Sequence, residues 1–123
     1  MFYESKTTLE ILSQILISSA FLGTLVINAT TKVQQHLDRM REMGIPLPST
    51  ILWAGFSIQA VGGTMLALDI RADIGASLLI IFTIMATIIF HRFWHVDDQL
   101  RRHLHVSFIF SNIAIIGALL LTI

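Results

Sequence analysis

Four long apolar segments constrain this chain more than any other feature of its sequence. They cover residues 8–28, 50–68, 72–90 and 105–123. The hydrocarbon core of a bilayer is about 30 Å thick and is crossed by roughly 20 helical residues, whereas a soluble surface helix of that length would carry a polar face. Membrane strands would need about ten residues of period-two alternation. The sequence therefore predicts an all-α integral membrane protein, a four-transmembrane-helix bundle.

Composition agrees with a membrane setting. Only 13% of the 123 residues are charged, about half the share found in soluble domains. This length suits one unit, so residues 1–123 are predicted to form a single four-helix membrane domain. Formal net charge is zero, which gives no reason to expect nucleic acid. Cysteine is absent, so thiol redox chemistry and thiolate metal ligands are excluded.

The connection between the first two spans contains a short helical pattern. Val33, Leu37 and Met40 recur at i, i+4 and i+7, which places them on one face of a helix. Gly44 can cap that helix, and Pro46 can stop it. We therefore predict a short amphipathic helix that lies along the membrane surface.

Basic residues divide unequally between the two sides of the predicted bundle. Six belong to the 1–2 and 3–4 connections, and two, Lys6 and Arg71, belong to the opposite side. The six are Lys32, Arg39, Arg41, Arg92, Arg101 and Arg102. Since positive connections stay in the cytoplasm, both termini are predicted to lie outside.

Polar side chains within the spans must face protein, because lipid offers them no partner. Glu10 and Gln14 belong to a polar stripe on the first helix, and Asn112 lies well inside the fourth. Glu10 is either a hydrated residue at the membrane rim or an intramembrane proton site. Gln14 and Asn112 are predicted to hydrogen-bond within the bundle.

The second span has a face of small residues. Gly55, Gln59, Gly62 and Gly63 share it, so two helix backbones can approach closely there, and Gln59 can hydrogen-bond across the contact. We predict a packing face, with substrate contact as the alternative role.

Four of the five histidines lie in IIFHRFWHVDDQLRRHLH, residues 88–105. His91 and His95 are at i, i+4, a spacing that can chelate a metal, while a haem would need a partner histidine from elsewhere, such as His36 or His105. An ordinary interface segment anchored by Phe93 and Trp94 explains the same residues. We predict that Lys32, His91, Phe93, Trp94 and His95 contact a partner subunit or a quinone head group, with no metal site and no tightly bound cofactor.

The order of these features resembles the DoxX family of small four-helix membrane proteins, which is similar to the SURF4-like group. A Lys follows the first helix, MGIPLP precedes the second, a glycine pair and an Arg follow, and then come FHRFW and SNIAIIGALLL. The matching residues are Lys32, Gly44, Pro46, Pro48, Gly62, Gly63, Arg71, His91, Phe93, Trp94, Asn112 and Gly117. Two departures are Ala29, where the family usually has Gly, and Gln59, where it often has Glu.

The resemblance implies a multi-pass protein of a prokaryotic cytoplasmic (inner) membrane. It also implies a link to quinone-reactive sulfur oxidation, terminal oxidases or oxidative-stress complexes, commonly as a small subunit. Our leading hypothesis is a non-catalytic, anchoring subunit of a quinone-linked membrane oxidoreductase, in contact with lipid and with other membrane subunits or a second copy of itself. The alternatives are a quinone- or haem-binding redox subunit that uses the histidine cluster, and a small transporter or cargo-type membrane protein.

Overall fold

The computed structural model describes residues 3–90 and 98–123, which form helices joined by short connections. The five helices are α1 (Thr8–Thr31), α2 (Val33–Glu42), α3 (Pro48–Ala67), α4 (Ala72–Phe90) and α5 (Gln99–Leu120). Four of them, all except α2, are long and apolar enough to cross a membrane. The described chain is therefore all-helical, as predicted, and fits a multi-pass membrane protein whose apolar helix faces contact lipid.

Local sequence signals set the ends of the helices. Thr7 caps α1 by accepting a hydrogen bond from the Glu10 backbone N–H at 3.2 Å, and its hydroxyl donates to the Glu10 carboxylate, also at 3.2 Å. This arrangement resembles a capping box, except that the Glu10 carboxylate accepts the hydroxyl of Thr7 instead of its backbone N–H. Pro48 occupies the first turn of α3, where its missing N–H costs nothing.

Two helices end in the same left-handed turn. After α2, Gly44 has a φ of 73°, and the N–H of Ile45 returns to the carbonyl of Met40 at 3.1 Å. After α3, Asp69 takes the same place with a φ of 55°, and the N–H of Ile70 returns to the carbonyl of Met65 at 2.9 Å. These are Schellman motifs, and they turn the chain sharply at opposite ends of the molecule.

The predicted short helix between the first two spans is present as α2, and it packs by its apolar face. Leu37 and Met40 are buried, and Val33 packs on the same cluster. Their neighbours are Leu52 and Phe56 of α3. The helix therefore rests against the ends of the long helices.

The long helices follow each other in space as α1, α3, α4 and α5. The extensive contacts join α1 with α3, α3 with α4, and α4 with α5. Within residues 3–90 and 98–123, α1 and α5 make no extensive contact with each other. One side of the four-helix arrangement, between α1 and α5, is therefore left open.

A close approach of two backbones joins α3 to α4. A Cβ atom built on Gly62 would lie 3.0 Å from the carbonyl oxygen of Gly75, and one built on Gly75 would lie 2.9 Å from that of Gly62. Only glycine fits both places. The nearby residues Leu66, Ala72, Ala76 and Leu79 are buried, with Phe21 and Leu119, in one core cluster.

Helix α5 begins at Gln99, ahead of the predicted span from His105. Asp98 caps it, because its carboxylate accepts the Leu100 N–H at 3.1 Å. The basic first turns of α5 thus belong to the helix. The end of the molecule that holds α2, Phe90 and the start of α5 is called the basic end, and the end that holds Tyr3, Ile123 and the α3–α4 turn is called the terminal end.

Candidate functional site

The open side of the molecule contains a cavity of about 540 Å³ in the half nearer the basic end. All four long helices and α2 contribute to its wall. Most of the lining is apolar, and the polar members are Thr24, Asn28, His36, Gln59, Thr83 and Asn112. An apolar cavity of several hundred Å³ with a few polar groups has the properties of a small-molecule site.

Gln59 is the most deeply buried polar side chain of this cavity, with 2% of its surface exposed. Its Nε2 donates to the Phe21 carbonyl at 2.6 Å and to the Thr24 hydroxyl at 3.0 Å. A backbone carbonyl can only accept, so the nitrogen must face Phe21 and the orientation of the amide is fixed. Oε1 is buried and has no hydrogen-bond partner among the described residues. A buried acceptor without a partner costs about 1–3 kcal/mol.

The other polar groups near Gln59 bond mainly within or between helices. The Thr24 hydroxyl donates to the Ala20 carbonyl at 2.9 Å, and the Thr83 hydroxyl donates to the Leu79 carbonyl at 2.7 Å. Ser and Thr hydroxyls on membrane helices commonly donate to the backbone carbonyl one turn earlier in the same helix. Gln59 Oε1 therefore stands apart from its neighbours.

Asn112 ties α5 to α4. Its Nδ2 donates to the Thr87 hydroxyl at 2.8 Å, and that hydroxyl donates to the Thr83 carbonyl at 2.7 Å. Asn112 is half-buried and lines the cavity. It lies on the opposite side of the cavity from α1.

Histidine and arginine meet where the cavity reaches the basic end. Arg39 donates to the Phe90 carbonyl at 3.1 Å, and its Nη2 lies 3.2 Å from Nε2 of His105. His36 lines the cavity, and its ring packs edge-on against Phe90 with centroids 5.0 Å apart. Burial lowers the pKa of His36, and the positive charges of Arg39 and Lys32 lower it further. This end of the cavity therefore favours a neutral imidazole.

A second polar cluster lies at the terminal end, away from the cavity. Gln14, 1% exposed, donates from Nε2 to the Leu66 carbonyl and to the Asp69 carboxylate, both at 3.1 Å. Asp69 also accepts the Tyr3 N–H at 3.0 Å and has Lys6 Nζ at 3.7 Å. The cluster joins the start of the chain, α1 and the α3–α4 turn. Nothing in the sequence around Asp69 had predicted this role for its carboxylate.

Glu10 lies in the first turn of α1 and is exposed. Its carboxylate accepts the hydroxyl proton of Thr7 in the cap of α1. The residue thus has a local role in starting the helix.

The three glycines of the predicted small-residue face on α3 each meet a different residue of a neighbouring helix. Gly62 meets α4 at Gly75, as described above, whereas a Cβ on Gly63 would lie 2.8 Å from the Leu22 side chain of α1. A Cβ on Gly55 would meet Phe82 at an ordinary 3.7 Å. Gly55 lines the cavity, so its lack of a side chain leaves space there instead of bringing two backbones together.

The predicted partner-binding residues are described only in part. Lys32 is exposed at the junction of α1 and α2. His91, Phe93, Trp94 and His95 lie outside the described residues. Among residues 3–90 and 98–123, no three His, Cys, Asp or Glu side chains are grouped so that they could hold a metal ion.

Comparison with known proteins identifies one family. The sequence model of the DoxX family matches residues 11–92, which covers α1 from residue 11 onward together with α2, α3 and α4, and leaves α5 outside the matched range. The resemblance noted in the SNIAIIGALLL segment therefore extends beyond the match. No curated protein and no solved structure matches the chain.

Proposed function

Because the chain belongs to the DoxX family, we propose that it is a small integral-membrane subunit of a quinone-linked membrane oxidoreductase, with an anchoring rather than a catalytic role. The observation that carries this proposal is the open side between α1 and α5, where an apolar cavity faces the surroundings of the chain. In a bilayer this side meets lipid, a lipid-soluble molecule or another membrane helix.

The burial of the outer helices supports a role in assembly. Leu119 is the one buried residue of α5, and α1 buries only Gln14, Ser18 and Phe21. Both helices thus offer most of their surface to lipid or to other membrane subunits, including a second copy of this chain. Helix association in membranes uses packing and interhelical hydrogen bonds.

The proposal includes an orientation in a prokaryotic cytoplasmic membrane. At the basic end, Lys32 precedes α2, which carries Arg39 and Arg41, and Arg39 lies beside His105 of α5, whose first turns carry Arg101 and Arg102. We assign this end to the cytoplasm, with α2 along the membrane surface and both termini outside. A reporter that is active only in the cytoplasm should stay inactive after Ile123 and become active within residues 43–47; the reverse pattern would contradict this orientation.

We further propose that Lys32, His91, Phe93, Trp94 and His95 form a lip at this end that contacts a partner subunit or a quinone head group. The support is positional, because Lys32 follows α1 and His91 follows Phe90, the last residue of α4. Phe90 is in turn held by Arg39 of α2. Cations and aromatic rings at one depth suit either kind of contact.

Gentle extraction tests the subunit role. A tagged chain purified in mild detergent should carry a stoichiometric redox protein whose quinone-reductase activity co-migrates with it. Lys32→Ala should weaken that association, while Lys6→Ala, at the terminal end, should not. A chain that purifies alone after crosslinking in the intact membrane, with no co-migrating reductase activity, would contradict the proposal.

A redox subunit that holds a quinone or a haem itself is the second candidate. The observation that favours it is that His36 lines the cavity while His105 lies beside Arg39 at the same end. An absorption spectrum and extracted quinone content of the purified protein test this candidate. A haem band or retained quinone that is lost in a His36→Ala/His105→Ala variant would establish it in place of the anchoring role.

A further inference from the structure

We propose that the cavity beside Gln59 binds a lipid-soluble molecule that carries a hydroxyl group on an otherwise apolar body, and that Oε1 of Gln59 accepts its hydrogen bond. The inference does not rest on the proposed function, because it depends on this chain alone. It states which chemistry a ligand must bring, whether or not the chain belongs to a larger complex.

The first step concerns the polarity of the Gln59 amide. Its nitrogen is committed to the Phe21 carbonyl and the Thr24 hydroxyl, so the group left over is the oxygen, which can only accept. Thr24 cannot turn to serve that oxygen without leaving the Ala20 carbonyl, to which its hydroxyl donates. A ligand that meets Gln59 must therefore supply a donor.

The second step concerns the other donors in the wall. The Thr83 hydroxyl donates to the Leu79 carbonyl, and Asn112 donates to the Thr87 hydroxyl. The Thr83 hydroxyl and one amide N–H of Asn112 are thus already used between or within helices. The lining also contains Asn28, His36 and the second N–H of Asn112, but none of these groups bonds to Gln59 Oε1, which has no partner among the described residues. A bound molecule that reaches this oxygen can therefore supply the missing donor.

The third step concerns the body of the ligand. The described cavity lining contains no Asp, Glu, Lys or Arg, and its volume is about 540 Å³. A charged ligand would lose its hydration there without a counter-charge, whereas a ring or an alkyl chain would fit the apolar wall. Because Oε1 is buried, the wall side chains must shift slightly for the contact to form. An aromatic hydroquinone and an aliphatic alcohol share the required chemistry.

Four probe molecules distinguish a hydroquinone ligand from an aliphatic alcohol. The purified chain in phosphatidylcholine nanodiscs is incubated without oxygen with farnesyl hydroquinone, with its dimethyl ether, with the oxidised farnesyl quinone, and with dioleoylglycerol. The hydroquinone and its ether have the same ring and tail, but only the hydroquinone can donate. Native mass spectrometry and competition against the labelled hydroquinone measure the affinities.

Substitutions inside and outside the cavity test whether the probes bind beside Gln59. Gln59→Leu removes the acceptor, and Gln14→Leu is its matched control, because that buried amide also joins α1 to the α3 end but lies away from the cavity. Gly55→Leu fills the cavity from a position with room for a side chain. Gly23→Leu is its control, since a Cβ there meets nothing within 4 Å and Gly23 is not part of the cavity lining.

The hydroquinone or the diacylglycerol should bind about tenfold or more tightly than the dimethyl ether and the quinone, as one hydrogen bond allows. Gln59→Leu should abolish this preference, Gly55→Leu should abolish binding, and the two controls should leave both intact. Whichever donor binds identifies the source. The proposal would be overturned if neither the hydroquinone nor dioleoylglycerol bound to the unmodified chain more tightly than the ether, or if the preference survived Gln59→Leu.

Discussion

Two buried glutamines, Gln14 and Gln59, show how differently the two halves of this molecule are built. Each joins α1 to α3 through its side-chain nitrogen, which donates a hydrogen bond to a backbone carbonyl of the other helix. At the terminal end, Gln14 also reaches Asp69, whose carboxylate binds the start of the chain. In the half nearer the basic end, the Gln59 oxygen has no partner among the described residues.

Packing differs in the same way. The terminal half has the glycine contact between α3 and α4 and the core cluster around Leu66 and Leu79. The other half has a glycine, Gly55, that leaves room beside Phe82 and a cavity open between α1 and α5. The terminal half therefore has the closest helix contact, whereas the half nearer the basic end has open space and a buried polar atom without a partner, which we propose serves a ligand.

The largest effect should come from the close backbone contact in the terminal half. In Gly75→Ala the new Cβ would lie 2.9 Å from the Gly62 carbonyl, so the helices must separate, at a cost of about 1–3 kcal/mol. Thermal unfolding in one detergent measures this. Gly23→Ala, with nothing within 4 Å, is the control and should be neutral or gain up to about 1 kcal/mol from helix propensity. Equal melting temperatures for the two variants would disprove the contact.

The two glutamines should next respond unequally to the same change. Gln14→Leu removes two hydrogen bonds and leaves Asp69 with one donor fewer, so it should cost about 1–3 kcal/mol. Gln59→Leu loses its two bonds but also removes a buried oxygen without a partner, so it should cost less, about 1 kcal/mol or under. Matched unfolding measurements check the order, and a larger loss at Gln59 would contradict the comparison.

A smaller effect is expected where glycine meets a side chain. In Gly63→Leu the new atoms would press on the tip of Leu22, which can rotate, so the cost should lie near the lower end of the range of about 1–3 kcal/mol for overpacking. Ile80→Leu, a volume-conserving change beside the core cluster, should cost under about 1.5 kcal/mol. If Gly63→Leu destabilises the chain more than Gly75→Ala, the tight contact has been assigned to the wrong helix pair.

The smallest effect should be a pH dependence at the basic end. The pKa of His36 is lowered by burial, by Arg39 and by Lys32, so the unfolded chain binds a proton more readily than the folded chain. Stability is therefore fully present above the unfolded pKa of about 6.5 and is lost as the pH falls toward the lower folded pKa. Melting temperatures of the unmodified chain should drop across this window more than those of His36→Gln. A rise on acidification would show that the sign is wrong.

The sequence predicted long apolar helices because length and hydropathy alone decide them, and α3 and α4 begin and end close to the limits of the predicted segments. It did not predict the hydrogen bond between Gln14 and Asp69, since 55 positions separate the two residues. A carboxylate that follows a helix can also serve as a cap, an ion-pair partner or a solvated surface group. Gly75 was missed for a similar reason, because a single glycine does not show which backbone will approach it.

The candidate site was predicted only in part. Gln59 was identified as a polar group that crosses to another helix, but its unpaired oxygen depends on the rotamer and on Thr24 being used by its own helix. The helical turns between Gln99 and His105 were not predicted, because the charged segment there resembles a loop although Asp98 carries the cap signal. The cavity lies on the side where α1 and α5 make no extensive contact, an arrangement that no local pattern encodes.

Isotope-edited infrared spectroscopy tests the central claim most directly, because it observes the Gln59 carbonyl itself. Chain labelled with ¹³C at the glutamine side-chain carbonyl is compared with labelled Gln59→Leu, and the difference isolates the Gln59 band. We predict a band at the high frequency of a carbonyl without a hydrogen bond, which shifts down when farnesyl hydroquinone is added and stays in place with the dimethyl ether. A low-frequency band that neither compound moves would contradict the account.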